Sequence, residues 1–358
     1  MATIDPAPSP TAMHDPAPPS TTRDRPVKAP TIYDVASAAG VSHQTVSRFL
    51  KGFEGIRPET RERVMRALDE LDYRPNLTAR SLKSGRSHRI GALTHEISKV
   101  GPSRTAEGAS AAAREAGYVL DVVSLDARDA RAINESLELI TQHDLAGVLA
   151  LASTDEMTNA FEHADFRVPA LISAETDELT AEQASEVTGV GVPGVVAHLA
   201  ELGHRRCIHI AGPQTWAAAR NRQRAYEGAI EAHGMRSLAV LAGDWSAESG
   251  YRAIALLDTL PPATAIVAAN DQMALGAMLA LKERGLRIPD DLSVVGIDDI
   301  PEAAFFDPPL TTLRIDFEAQ GRASVQQLLA RIERTAPPAR TVPPSRLMAR
   351  RSTGPARA

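Results

Sequence analysis

DVASAAGVSHQTVSR, residues 34–48, has the grammar of two short helices joined by a tight turn. Val35, Ala36 and Ala39 fall at helical spacing and face inward on a first helix. Gly40 permits the turn, because glycine alone enters the left-handed region without steric cost. Val41 plugs the interface and Ser42 is placed to cap a second helix, whose outer face then carries His43, Gln44 and Ser47 or Arg48. Short polar residues at the start of such a helix reach base edges in a major groove, glutamine suiting adenine and arginine guanine. The competing reading, a helical hairpin with a merely solvated polar face, leaves the joint presence of glycine turn, serine cap and uncharged polar face unexplained.

Outward from this stretch, helices are expected at about 31–38 and 43–51, and from Pro58 to about Leu71. Proline is well placed as a first helical residue. Val64, Ala67, Leu68 and Leu71 give the third helix one apolar face. Residues 1–26, rich in Pro, Ala, Ser and Thr, lack any periodic apolar pattern and read as a disordered tail.

From Arg89 short apolar runs alternate with amphipathic stretches. The runs are 89–95, 118–124, 147–152, 168–173, 206–212, 264–270 and 292–298; helical patterns lie at 104–116, 129–142, 193–202, 217–233, 247–259 and 271–285. Near-continuous apolar strands alternating with helices indicate parallel sheets covered on both faces. Seven such units exceed one comfortable sheet, so two doubly wound lobes with a cleft between them are expected. Ligands of open α/β sheets sit beyond the carboxyl ends of the strands, which points to His95, Ala174, Gly212, Asn270 and Asp298.

The chain has 358 residues, a single cysteine (Cys207) and a net charge of −6. That length bounds the count at two or three domains, and one cysteine excludes a disulfide scaffold or a cysteine-based zinc site. No apolar run is long enough for a membrane helix or a signal peptide. The acidity would argue against a nucleic-acid partner, but it is uneven: residues 31–89 hold eleven Lys+Arg against seven Asp+Glu, a local net of +4, while residues 90–358 carry −10. A small basic module joined to a large acidic body hints at a polyanion partner for the N-terminal end.

TIYDVASAAGVSHQTVSRFL (31–50) resembles the N-terminal signature of the lactose-repressor (LacI/GalR) family of bacterial transcription regulators. RPETRERVMRALDELDYRPNLTARSLKSG (57–85) is similar to that family's third helix and hinge. The likeness continues through HIAGP (209–213), GDWSAESGY (243–251), ANDQMALGAM (269–278), LSVVGIDD (292–299) and PPLTTLRIDF (308–317), covering about 27–354. It implies an N-terminal all-α helix-turn-helix DNA-binding domain plus an α/β two-lobe, periplasmic-binding-protein-like effector domain. The implied DNA-contacting residues are Thr31, Tyr33, Ser42, His43, Gln44, Thr45, Ser47 and Arg48, with Asn76, Ala79 and Leu82 in the hinge. The hinge is too short to be a stable helix alone. In the family two copies pair in the minor groove and a leucine wedges between base steps; a plain interdomain linker is the alternative.

For the effector, the resemblance implies Arg220, Trp245, Asn270 and Asp298. Their chemistry suits a sugar: Asp and Asn for vicinal hydroxyls, a planar arginine fork, and an indole face against a pyranose. Each has a plainer reading. Asn270 would cap the helix starting at Asp271, Asp298-Asp299 would form a turn, Arg220 a surface ion pair, and Trp245 ordinary core. The other lobe departs from the family's lactose-responsive type member. Ala174 stands for its sugar-binding aspartate, Leu151 for a pocket asparagine, His95 for a pocket serine and Glu186 for an aromatic. His95 is therefore a candidate effector residue, and galactoside specificity is not expected to carry over.

The domain boundaries expected are a tail at 1–26, the helix-turn-helix domain at 27–74, hinge and linker at 75–88, the effector domain at 89–354 and a tail at 355–358. Within the effector domain one lobe spans about 89–187 and 317–344, the other about 188–316 and 345–354. Gly189 to Gly194 reads as G-x-G-x-x-G but contains Pro193 and lacks the later acidic residue a dinucleotide site needs. His198, His204 and His209 lack metal-ligand spacing, and no nucleophile elbow or P-loop is present. The sequence thus predicts a cytoplasmic, homodimeric repressor, not an enzyme, without metal or cofactor. It would bind a palindromic double-stranded operator and be released by a small sugar or glycoside. The alternatives are a corepressor-activated regulator or, in a different class, a solute-binding protein.

Overall fold

A computed structural model of the chain describes residues 30–50, 52–73, 87–125, 130–175, 177, 191–339 and 341–357. The tail, the hinge residues Asn76, Ala79 and Leu82, Glu186, and Gly189 lie outside the described residues. The chain divides into two compact units, the described part of the first ending at Tyr73 and that of the second beginning at Ser87.

The first unit holds α1 (Ile32–Ala39), α2 (His43–Leu50) and α3 (Pro58–Glu70). Thr31 opens α1 in a capping box: its hydroxyl donates to the Asp34 carboxylate at 2.7 Å and accepts from the Asp34 amide at 3.4 Å. Gly40, at φ +60°, ends it, and the Val41 amide bonds back to the Ala36 carbonyl at 3.0 Å. The Ser42 hydroxyl accepts from the Thr45 amide at 3.2 Å, as a cap should. Val35, Ala36, Ala39, Val46, Val64 and Ala67 form the core, bordered by Val41, Leu68 and Leu71.

The second unit contains two sheets. In the first, β1 (Arg89–His95), β2 (Val119–Leu125), β3 (Gly147–Ala152) and β4 (Ala170–Ala174) run parallel in the order β2-β1-β3-β4. The second has the order β10-β9-β8-β7-β5-β6. It is built from β5 (Arg206–Ala211), β6 (Arg236–Ala242), β7 (Ala265–Ala268), β8 (Ser293–Asp298), β9 (Thr311–Arg314) and β10 (Arg346–Met348). Its pairings are parallel except β10 against β9. Central strands β3, β7 and β8 are buried along their whole length, as strands covered on both faces must be.

The intervening helices are α4 (Val100–Glu115), α5 (Ala130–Thr141), α6 (Asp155–Glu162), α7 (Val192–Glu201), α8 (Ala217–Ala232), α9 (Ala247–Ala255), α10 (Asp271–Glu283) and α11 (Phe317–Glu333). Strands β6, β9 and β10 and helices α6 and α11 are additions to the seven expected runs. Edge strand β6 is largely solvent-facing, so RSLAVLA lacks the apolar continuity that marks a central strand. Helix α11 follows β9 in the chain but returns to the first sheet, where Val325 and Leu328 share a core with Ile90 and Leu149. It lies backbone to backbone on α4: a Cβ on Gly321 would run into the Thr105 carbonyl, and one on Gly108 into that of Glu318. Among the described residues no helix is long and apolar enough to cross a membrane.

Because backbone is what a Gly321 side chain would meet, Gly321→Val is expected to destabilise the second unit by roughly 1–3 kcal/mol. Chemical denaturation measures this, and an unchanged midpoint contradicts the close α4–α11 contact.

Candidate functional site

Two clusters of polar side chains stand apart from the cores. On the first unit, Ser42, His43, Gln44 and Arg48 are exposed along α2, with Thr45 and Ser47 half-buried beside them. The Tyr33 ring lies 5.1 Å from the His43 ring, bringing an α1 side chain onto this face. Arg57, Arg61, Arg63 and Arg66, on α3 and its entry, are also exposed. Thr31 and Thr45 are engaged in capping, Thr45 Oγ1 lying 3.0 Å from Ser42 Oγ. Polar groups on the leading turn of a protruding helix, flanked by cations, can read base edges and hold phosphates.

The second cluster lies where the strands of both sheets end. Asp298, last in β8, has φ +113°, and its carboxylate accepts from Arg222 of α8 at 3.1 Å; the two side chains are 6% and 5% exposed. Arg222 also donates to the Ala269 carbonyl. Burial pushes the Asp298 carboxyl up to about 6 against the opposing pull of Arg222. Behind it, burial raises the Asp271 carboxyl well above its ordinary value, while it accepts from the Ile300 amide at 2.9 Å and the Thr312 hydroxyl at 2.5 Å.

Above the ion pair stand both tryptophans. The Arg222 guanidinium lies 5.5 Å from the Trp245 ring centroid, Trp216 meets Trp245 edge-on at 5.7 Å, and His95 lies 4.8 Å from Trp216. Gly212 makes room, since a Cβ there would collide with the Trp245 indole. Both His95 ring nitrogens, Trp245 Nε1 and Arg222 Nε are buried without a hydrogen-bond partner. Such groups are costly unless a ligand or water satisfies them. Glu96, Trp245, Asp298 and Asp299 all take positive φ, a concentration of backbone strain at one place. A cavity of about 480 Å³ adjoins, lined by Val100 and Arg104, Asp298 to Pro301, and Arg314 to Glu318 among others. That volume is in the range of small-molecule sites.

Arg220 has a different position from the one expected. Its guanidinium pairs with Asp155 at 2.8 Å and Asp177 at 2.9 Å, and donates to the Gln214 carbonyl at 2.5 Å. The donor fork beside Asp298 is Arg222, two residues on. Arg220 instead joins an interlobe bridge with Arg224–Asp177 at 2.9 Å, Asn221–Glu175 at 2.9 Å and Lys99 to the Asp244 carbonyl at 3.2 Å. The Arg220 hydrogen bond is the main influence holding the Asp177 carboxyl below its ordinary value. Asn270 caps α10, its Oδ1 accepting from the Met273 amide at 2.9 Å and its Nδ2 donating to the Trp245 carbonyl at 3.0 Å. It therefore fastens Trp245 in place and has little free capacity for a ligand. Sequence reasoning missed Arg222 and the packing role of Trp216. A second arginine at i+2 in AARNRQR was the available signal for the first.

His198, His204 and His209 make structural contacts. His209 stacks on Tyr226 at 4.6 Å, His204 lies between Thr264 and the Gly354 carbonyl, and His198 contacts Thr353. Gly191 caps α7, and the segment of the glycine motif that is described leads directly into that helix.

Burial lowers the His95 imidazole to about 4, so it is neutral at neutral pH and each nitrogen can serve as donor or acceptor according to tautomer. A histidine depressed on folding stabilises the fold above its unfolded value near 6.5, and that stability is lost as pH falls toward 4. Asp298, raised on folding, works in the opposite sense between about 6 and 3.8. In a comparison of the parent with His95→Gln, the Asp298 contribution is common to both. The variant is expected to retain on the order of 2 kcal/mol more stability on going from pH 7 to pH 5. Thermal unfolding at the two pH values measures it; parallel losses would show that His95 is not buried neutral.

Comparison with known proteins matches residues 31–76 to the model for bacterial regulatory proteins of the lacI family, and residues 196–353 to the periplasmic binding protein-like domain. The chain is 34% identical over 305 residues to the lactose operon repressor of Escherichia coli (strain K12), covering 85% of each. It is 34% identical over 347 residues to the HTH-type transcriptional regulator CelR of Thermobifida fusca, covering 91% of this chain and 98% of that one. Among solved structures, the lac repressor dimer bound to operator and the anti-inducer ONPF superposes with a TM-score of 0.77 at 33% identity, over 91% of this chain and 100% of that one. The CelR–cellobiose complex gives 0.66 at 31% identity, over 90% and 99%.

Proposed function

The chain belongs to the lacI family of bacterial regulatory proteins, and we propose that it is a cytoplasmic, homodimeric repressor released from a palindromic operator by a small, uncharged, sugar-like effector. Helix α2 would enter the major groove, with His43, Gln44, Ser47 and Arg48 at the bases and the arginines of α3 at phosphates. The segment containing Asn76, Ala79 and Leu82 would follow into the minor groove. Two copies would meet partly through exposed apolar side chains of the second unit, among them Leu275 and Leu279, one turn apart on α10, and Phe305, 87% exposed.

One observation carries the effector reading. The strand ends of both sheets converge on a buried polar and aromatic cluster that the protein itself does not satisfy. Two indoles supply flat apolar surface, the Arg222–Asp298 pair presents donors and acceptors in a fixed plane, and neutral His95 contributes from the other lobe. The Arg222 charge is already matched by Asp298, so the site favours hydroxyls over a carboxylate. A ligand seated there touches both lobes and thereby biases their separation. It changes DNA affinity only in so far as it prefers one arrangement over the other. The similarity to the lac repressor dimer bound to operator and the anti-inducer ONPF, and to the CelR–cellobiose complex, supports this reading.

Selection of duplexes from a random pool, followed by gel shift, tests the DNA half. A palindromic site bound on the order of 10³-fold or more above random sequence is expected, and equal binding to both would refute it. For the effector half, the two tryptophans of the chain both lie in the cluster, so a panel of neutral sugars can be screened by intrinsic fluorescence. Asp298→Asn keeps the shape without stranding a buried positive charge as severely as alanine would. It is expected to abolish release from the operator by the sugar that scores in the screen while leaving operator binding intact; an unaltered response would remove Asp298 from the site.

A further inference from the structure

Phe53 is an aromatic ring that no core uses. It is 52% exposed and belongs to no buried cluster, yet its position is tightly specified. Gly52, at φ +74°, turns the chain sharply at the end of α2. The Gly52 amide bonds to the Phe49 carbonyl at 2.9 Å and the Phe53 amide to the Arg48 carbonyl at 3.1 Å. This is the pattern of a helix closed by a left-handed glycine, which brings the residue after the glycine back over the last helical turn. Gly55 clears the space on the far side, since a Cβ there would lie 2.5 Å from the Phe53 ring. The ring so placed has the Arg48 guanidinium 5.7 Å from its centroid. Phe49, by contrast, borders the core and carries Arg61 of α3 at 5.8 Å.

We propose that Phe53 is a positioning residue for DNA reading: its ring holds the Arg48 guanidinium in a fixed plane at the end of the reading helix. The proposal rests on the assignment of α2 as that helix. Arginine reads guanine through two parallel hydrogen bonds, which demand one orientation of a side chain that is otherwise free. A face-on aromatic platform removes part of that freedom before the DNA arrives, at a site where cation–π attraction is not fully screened. The gain therefore appears in the preference for the correct sequence. Binding to random DNA, which needs charge but not orientation, is left nearly unchanged.

The test uses the full chain, a duplex it selects from a random pool and a scrambled duplex, with anisotropy titrations at one fixed salt concentration. Phe53→Ala and Phe53→Leu are expected to lower the preference for the selected duplex by about two- to fivefold. Leucine keeps an apolar side chain at this position but has no π face. Affinity for scrambled DNA should hold in both, which also reports an intact fold, and Phe53→Tyr should retain the preference. In an Arg48→Gln background, Phe53→Ala should cost nothing further. A full additional loss in that background would mean that the ring touches DNA itself and would overturn the positioning role, as would full preference in Phe53→Leu. If Arg48→Gln alone keeps the preference, the assignment of Arg48 as a reading residue falls, and the role of Phe53 falls with it.

Discussion

Arg222 and Asp298 are two charges held almost wholly out of water, and much of the effector domain is organised around that burial. Removing an ion pair from solvent costs several kcal/mol per ion before any attraction is regained. Here the cost is offset by the 3.1 Å contact, the Ala269 carbonyl and the face of Trp245. The pair ties the end of β8 to α8. The same helix carries Arg220, Asn221 and Arg224, which reach Asp155, Asp177 and Glu175 on the other lobe. One helix thus presents the polar floor of the cleft and bridges its mouth, so floor and bridge are mechanically joined.

The cluster above the floor follows from the same layout. Parallel sheets covered by helices expose side chains mainly at their strand ends, and two such ends facing one another make a site with both walls already built. Trp245 is held at positive φ by Asn270, which bonds its carbonyl while capping α10. Strain and unsatisfied polar atoms occur together at this point and in few other places among the described residues. Structure that gives up stability locally in this way is characteristic of a binding site.

Much of this was legible in advance. The helix-turn-helix could be read from Gly40, Ser42 and the spacing of Val35, Ala36 and Ala39, because those features act locally and each has a single mechanical use. The central strands were legible because burial on both faces demands continuous apolar runs. Edge strand β6 and the short β9 and β10 were not, since their half-exposed sequences carry no such demand. Helix α11 was not legible as a helix, although the family resemblance already assigned 317–344 to the first lobe; its close seat there depends on Gly108 and Gly321 meeting their opposite backbones. At the site, Asp298 and His95 could be pointed to as strand ends, whereas Trp245 came only from the family resemblance. The resemblance pointed to Arg220 and left Arg222 unconsidered, and a helix turns two residues that far apart through nearly opposite directions.

The sequence by itself determined the two-part plan: a basic helical reading head whose short-range signals are self-sufficient, and an acidic α/β body whose periodicity requires two parallel sheets. Only the tertiary structure decided which arginine faces Asp298, that Asn270 serves Trp245, and that Phe53 lies against Arg48. The physical reason is one of range. Capping, turn formation and burial patterns are fixed by residues within a few positions of one another. Pairing a particular guanidinium with a carboxylate 76 residues away depends on the angle at which a helix settles on its sheet, which no local pattern records.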